Sequence, residues 1–172
     1  MAPLHVALKH GLITGLALVA YTVVMYVLDM NIFSPVYAIL NGLITFGLMI
    51  FMAVWAINKT RDTFLLGKIN FLQAWLVGAV ALVVAFYINS IFSVILNEYI
   101  DPTYMTKQLD NFIYSMEGKV PEESLDTMID TMKESMDPMK AFIKSLWMMP
   151  LISIVLGAIL ALFVKKDKNI QL

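Results

Sequence analysis

The chain contains no cysteine. That excludes disulfides, thiolate metal sites and a cysteine nucleophile, and it leaves the redox compartment open. Charge is also scarce, at 15% of residues against about 25% in soluble domains. The net balance is −1, so the basic surface that a phosphate backbone needs is missing and nucleic acid is excluded as a partner. Histidine occurs only twice, as His5 and His10. The two lie five apart at the N-terminal edge of an apolar run, and residues so spaced do not share a helix face. There is no Ser–His–Asp set, no phosphate loop and no metal-spaced cluster. No catalytic, cofactor-binding or metal-binding residue is assigned, and the chain reads as non-enzymatic.

What the sequence has in excess is apolar length. Hydrophobic residues make up 60% of its 172 positions, with a mean hydropathy of +0.78. A soluble core of this size has no room for so much apolar surface, which points to lipid as the solvent. Four stretches without charge reach the length of a membrane helix: about 11–28, 36–57, 71–96 and 146–164. In lipid each must be helical, because its backbone groups have to be satisfied within the segment. The first stretch is too long for a signal-peptide core and no small-x-small site follows Leu28, so it is expected to remain as a helix. The expected fold is an all-α membrane protein, one integral domain over 1–172. It is a four-helix transmembrane bundle with an external amphipathic helical hairpin between spans three and four.

The cations set the expected orientation. Lys9 precedes the first span, Lys59, Arg61 and Lys68 fall in the 58–70 loop, and Lys165, Lys166 and Lys168 end the chain. The segment 97–141 carries ten acids against four lysines. Short loops rich in Lys and Arg stay in the cytoplasm. Both termini should therefore be cytoplasmic and 97–141 external.

Within 97–141, Asp101 reads as an N-cap with Pro102 at the first helical position and Gly118 at the close. Met105, Leu109, Phe112 and Met116 share one face. A second helix follows Pro121, Glu122 and Glu123, with Leu125, Met128, Ile129, Met132 and Met136 as its apolar stripe. Asp126, Asp130, Glu134 and Glu123 make the acidic outer face, without the alternation of a calcium loop. Asp137 and Pro138 then start a new helix that runs into span four. The two stripes must be covered by each other, by the membrane surface or by a partner. Mutual packing is the plain expectation, and the methionines suit an adaptable docking face.

Inside the spans no buried charge is expected, since Lys9, Asp29 and Lys144 lie at span ends within reach of water. The neutral polar residues are Asn41 and Thr45 in span two, Gln73, Asn89, Ser90 and Ser93 in span three, and Ser153 in span four. They read as helix-packing contacts or, centred on Asn41 and Asn89, as a polar lining. Gly11 and Gly15 form a small-xxx-small pair, Gly42, Gly47 and Gly78 add small faces, and Pro150 should kink span four.

The motifs "LKHGLITGLAL", "AINKTRD", "GKINFLQAWLVG" and "LWMMPLISIVLGAI" stand in this order along the chain. In these the sequence resembles the bacterial membrane family catalogued as domain of unknown function 4199. "FLLGKINF" carries one Gly where the family often has two. The resemblance implies four spans and a bacterial inner membrane, and it brings no activity. The sequence supports an inner-membrane accessory or scaffold subunit. Its partners are the lipid bilayer and a second membrane protein, by fold-level analogy a glycosyltransferase or an envelope assembly system, or a copy of itself. The alternative is a protein that transports or handles a small solute or lipid.

Overall fold

A computed structural model describes residues 2–165, without the side chains of Ala2, Pro3, Glu134 and Ser135. Lys166 and Lys168 of the tail, and the Glu134 side chain of the acidic face, lie outside the described residues. The described chain is all α: α1 (Ala2–Val27), α2 (Pro35–Phe64), α3 (Phe71–Ile95) with a π-helical turn at Leu96–Ile100, α4 (Tyr104–Met116), α5 (Glu122–Ser135) and α6 (Pro138–Val164). Four of these stretches are long and apolar enough to cross a membrane: Leu4–Val27, Pro35–Phe64, Phe71–Ile100 and Pro138–Val164. α4 and α5 are the two shorter helices between spans three and four.

The helices outrun the apolar runs that announced them. α2 has 30 residues, about 45 Å at 1.5 Å per residue, against a hydrocarbon core of about 30 Å. Most of the 58–70 segment is thus helix rather than loop. Lys59 and Arg61 ride on the last turns of α2, and only residues 65–70 connect to α3. Gln73 does not bond across helices as expected. Its amide oxygen accepts from the Asn70 N–H (3.1 Å) while Asn70 accepts from the Gln73 N–H (2.9 Å), a capping box that starts α3.

α4 begins later than the Asp–Pro signal suggested. The π turn ends with the Asp101 N–H on the Leu96 carbonyl (2.8 Å), and the Asp101 carboxylate then takes the Thr103 N–H (3.1 Å) and hydroxyl (2.7 Å). Asp101 therefore builds the turn before the helix instead of capping it. The equivalent signal at α6 works as read: the Asp137 carboxylate accepts the Lys140 N–H at 2.9 Å, with Pro138 in the first turn.

α3 is the central helix, with α1 and α6 packed along it and α2 against α1 and α3. Close approach depends on small residues, because lipid tails supply no drive for apolar helices to associate. A Cβ at Gly11 would sit 2.8 Å from the Ala81 carbonyl oxygen, and one at Gly15 2.7 Å from Ile88 Cβ. One at Gly157 would meet the Ala79 backbone at 2.9 Å. Gly42 and Gly47, expected to add small packing faces, have no neighbour within 4 Å and look outward. On α1 the buried face is Val6, Ala7, His10, Gly11, Thr14, Gly15 and Leu18, while Leu4, Leu8, Leu12 and Leu16 are exposed. The lipid-facing side of α1 is lined by large apolar residues, and its small and polar residues face protein together with Val6 and Leu18.

Pro150 sits inside an otherwise continuous α6. A proline has no N–H for the carbonyl four residues back, here Leu146. That carbonyl accepts the Tyr87 hydroxyl of α3 at 3.0 Å. Two turns on, the Trp75 indole N–H donates to the Ile154 carbonyl (2.9 Å), so α3 and α6 are tied at two levels.

Candidate functional site

The densest set of polar and aromatic contacts lies where α4 meets the turn between α1 and α2. α1 ends in a Schellman arrangement: the Met30 N–H bonds to the Met25 carbonyl (3.2 Å) and the Asp29 N–H to that of Tyr26 (3.1 Å). Asp29 occupies the left-handed position, at φ 47°, that glycine usually fills. A carboxylate at a helix C-terminus also faces the negative end of the dipole. Both costs are offset by a partner: the Gln108 amide of α4 donates to Asp29 Oδ1 at 2.7 Å.

Around that bond α4 is held at three more points. The Tyr26 and Tyr104 rings meet edge to face at 5.1 Å, and Phe33 and Phe112 lie 6.4 Å apart. The Tyr26 hydroxyl donates to Asp101 Oδ2 (3.3 Å), which also pairs with Lys107 at 3.4 Å. The Thr103 hydroxyl and N–H, with Lys107 beside them, hold the Asp101 carboxyl below its ordinary range. Burial, helped by Asp29, Tyr26 and Asp101, pushes the Tyr104 phenol up, so it stays neutral.

This contact corrects the expected face of α4. The buried residues are Tyr104, Gln108, Leu109 and Phe112, whereas Met105 and Met116 are only half-buried. Gln108 is fully buried and its amide oxygen has no partner among the described residues. A stripe drawn from apolar residues alone skips it. α4 is thus tied to the α1–α2 turn as well as packed beside α5.

α5 is covered far less. Leu125 is buried, Ile129, Met132 and Met136 are half-buried, and Met128 is 38% exposed. The residues set out as a docking face therefore lie on one side of a helix that contacts α4 and α6, with Met128 at the exposed edge of the stripe.

The candidate lining residues are not gathered into one site. Asn89 accepts from the Thr22 hydroxyl of α1 (3.4 Å). Asn41 accepts from Thr45 on its own helix, also at 3.4 Å. Ser90 is half-buried on α3, and Ser153 is fully buried with no partner for its hydroxyl among the described residues. His10 departs most from expectation. It is buried among the helices, edge-on to Trp55 of α2 at 5.0 Å, with Nδ1 2.9 Å from the Val6 carbonyl. An ionisable residue does lie inside a span. The signal that marks it is its spacing from Ala7, Thr14 and Leu18 on the small-and-polar face of α1. Among the described residues no three His, Cys, Asp or Glu side chains gather as metal ligands would.

A family model described as "Protein of unknown function (DUF4199)" matches residues 9–166, nearly the whole chain. No curated protein and no solved structure matches the sequence.

Proposed function

The chain belongs to the DUF4199 family, and from that premise we propose that this multi-span membrane protein is a non-enzymatic accessory or scaffold subunit of a membrane complex. The observation that carries this reading is the contrast between α4 and α5. α4 is locked to the bundle by the Asp29–Gln108 bond and two aromatic contacts. α5 leans on α4 and α6 through Leu125 and the half-buried Ile129, Met132 and Met136, and it leaves the Met128 edge of its stripe exposed. A rigid platform carrying an adaptable methionine face suits the docking of another protein. Orientation is part of the proposal: termini in the cytoplasm, α4 and α5 outside, in a bacterial inner membrane. In its support, Lys9, Lys59, Arg61, Lys68 and Lys165 belong to the end of the bundle opposite α4 and α5.

Purification in a gentle detergent tests the reading. The wild type is expected to retain a membrane protein in fixed stoichiometry, and Met128→Asp to lose it while keeping the same melting temperature. A wild type that purifies alone from native membranes under all mild conditions sinks the accessory role.

A further inference from the structure

A second feature lies on the same side of the bundle and plays no part in the α4 contact. Between the end of α5 and the first turns of α6 there is a groove of about 650 Å³, lined by Thr131, Asp137, Lys140, Lys144, Ser145 and the pair Met148–Met149, with Ala141 between. Its polar groups are mostly committed. The Thr131 hydroxyl donates to the Thr127 carbonyl (2.9 Å) and that of Ser145 to the Phe142 carbonyl (2.7 Å). Asp137 caps α6 and pairs with Lys140 at 3.5 Å. Lys144 has no partner among the described residues, and the described lining holds two lysines against one aspartate.

The groove is also graded along α6. Lys140 and Lys144 sit one turn apart near the helix start, and Met148 and Met149 follow one turn deeper in the span. Beside and past them the surface is apolar and open, with Trp147 at 79% and Leu151 at 64% exposure. A soluble anion would use the lysines and leave the methionine floor bare. A lipid would use both, with its headgroup at the lysines and its chains along the methionines and Leu151.

We propose that this groove is a binding site for a phospholipid of one net negative charge, taken from the leaflet on the α4–α5 side, its phosphodiester held by Lys144 and Lys140. Two lysines against one aspartate in the described lining suit one phosphodiester, and the position at the start of a span puts the lysines at headgroup depth. α5 forms one wall through Thr131, so an occupied groove ties α5 to α6.

Native mass spectrometry of the full chain in detergent, titrated with dioleoyl phosphatidylglycerol, tests the site. One lipid is expected to bind more tightly than the rest and more tightly than dioleoyl phosphatidylcholine. Lys140→Gln with Lys144→Gln should weaken it about thirtyfold, as two lysines at a membrane surface would. Thr131→Trp fills the groove without changing charge and should lose the same lipid, with an unchanged melting temperature showing that the fold is intact. Lys59→Gln with Lys68→Gln removes equal charge at the other end and should have no effect. The proposal fails if the Lys140–Lys144 pair can be neutralised without loss, or if the distant pair causes an equal loss. It also fails if phosphatidylcholine binds as well, or if millimolar inorganic phosphate displaces the lipid, which would mark a site for soluble anions.

Discussion

Tyr87→Phe deletes one oxygen atom and isolates the bond that Pro150 makes necessary. The Leu146 carbonyl has no helical N–H to accept from, and the Tyr87 hydroxyl at 3.0 Å takes that place. Removing a partner from a buried carbonyl costs about 1–3 kcal/mol in soluble proteins. Interhelical bonds in membranes average about 0.6 kcal/mol, with a maximum of about 1.7. Tyr87 is half-buried in a span, where lipid offers the carbonyl no other donor, so the expected cost falls between the two ranges at about 1 kcal/mol. Pro150→Ala returns an N–H to the Leu146 carbonyl. In that background Tyr87→Phe should cost close to nothing, giving a coupling of about 1 kcal/mol between residues on different helices. Unfolding of the four proteins by dodecyl sulfate titration in mixed micelles measures the cycle. An equal cost of Tyr87→Phe in both backgrounds would refute the claim that the hydroxyl stands in for the missing N–H.

Gly15→Leu should lower stability by about 1–3 kcal/mol, because a Cβ there already falls 2.7 Å from Ile88 Cβ. Gly42→Leu, with nothing within 4 Å, should leave the melting temperature unchanged, and equal effects of the two would remove the α1–α3 contact from the account. The attachment of α4 should depend on pH at both extremes. The folded pKa of Asp101 is lowered, so its contribution is full above the unfolded carboxylate value of about 3.9 and is lost as pH falls through the folded one. The folded pKa of Tyr104 is raised, so its contribution is full below about pH 10 and is lost as pH rises through the folded value. A dye on Ser115→Cys should lose anisotropy in both ranges, and a flat profile on acidification from neutral pH through the lowered folded value of Asp101 would contradict the first. For topology, Ser115→Cys should react with an impermeant maleimide from outside and Thr63→Cys should not, the reverse pattern overturning the orientation. Thr63 is exposed, whereas Thr60, its neighbour by one turn, is fully buried and would not react from either side.

The sequence alone determined what depends on length and local chemistry. Eighteen or more apolar residues without charge must become a helix in lipid, and four such runs mean four spans. Asp137–Pro138 starts α6 because a cap needs only its own three neighbours. The same kind of signal misled at Asp101–Pro102, because the π turn arriving from α3 takes the Asp101 N–H and the carboxylate closes on the Thr103 N–H and hydroxyl before the helix begins. Which face of a helix is buried was legible only in part. In water, apolar stripes point inward; in a span apolar residues lie on every side and the choice falls to small and polar groups, which is how His10 came to lie against Trp55. α4 stands between the two regimes, and its buried face turns on Gln108, a residue that no apolar period selects. Asp29 with Gln108 and Tyr87 with Leu146 join residues 79 and 59 positions apart. Nothing local to either end of such a pair encodes the other. Only the packing of α1, α3, α4 and α6 brings them within reach, because a stranded carboxylate or carbonyl is answered by whatever donor the folded chain places beside it.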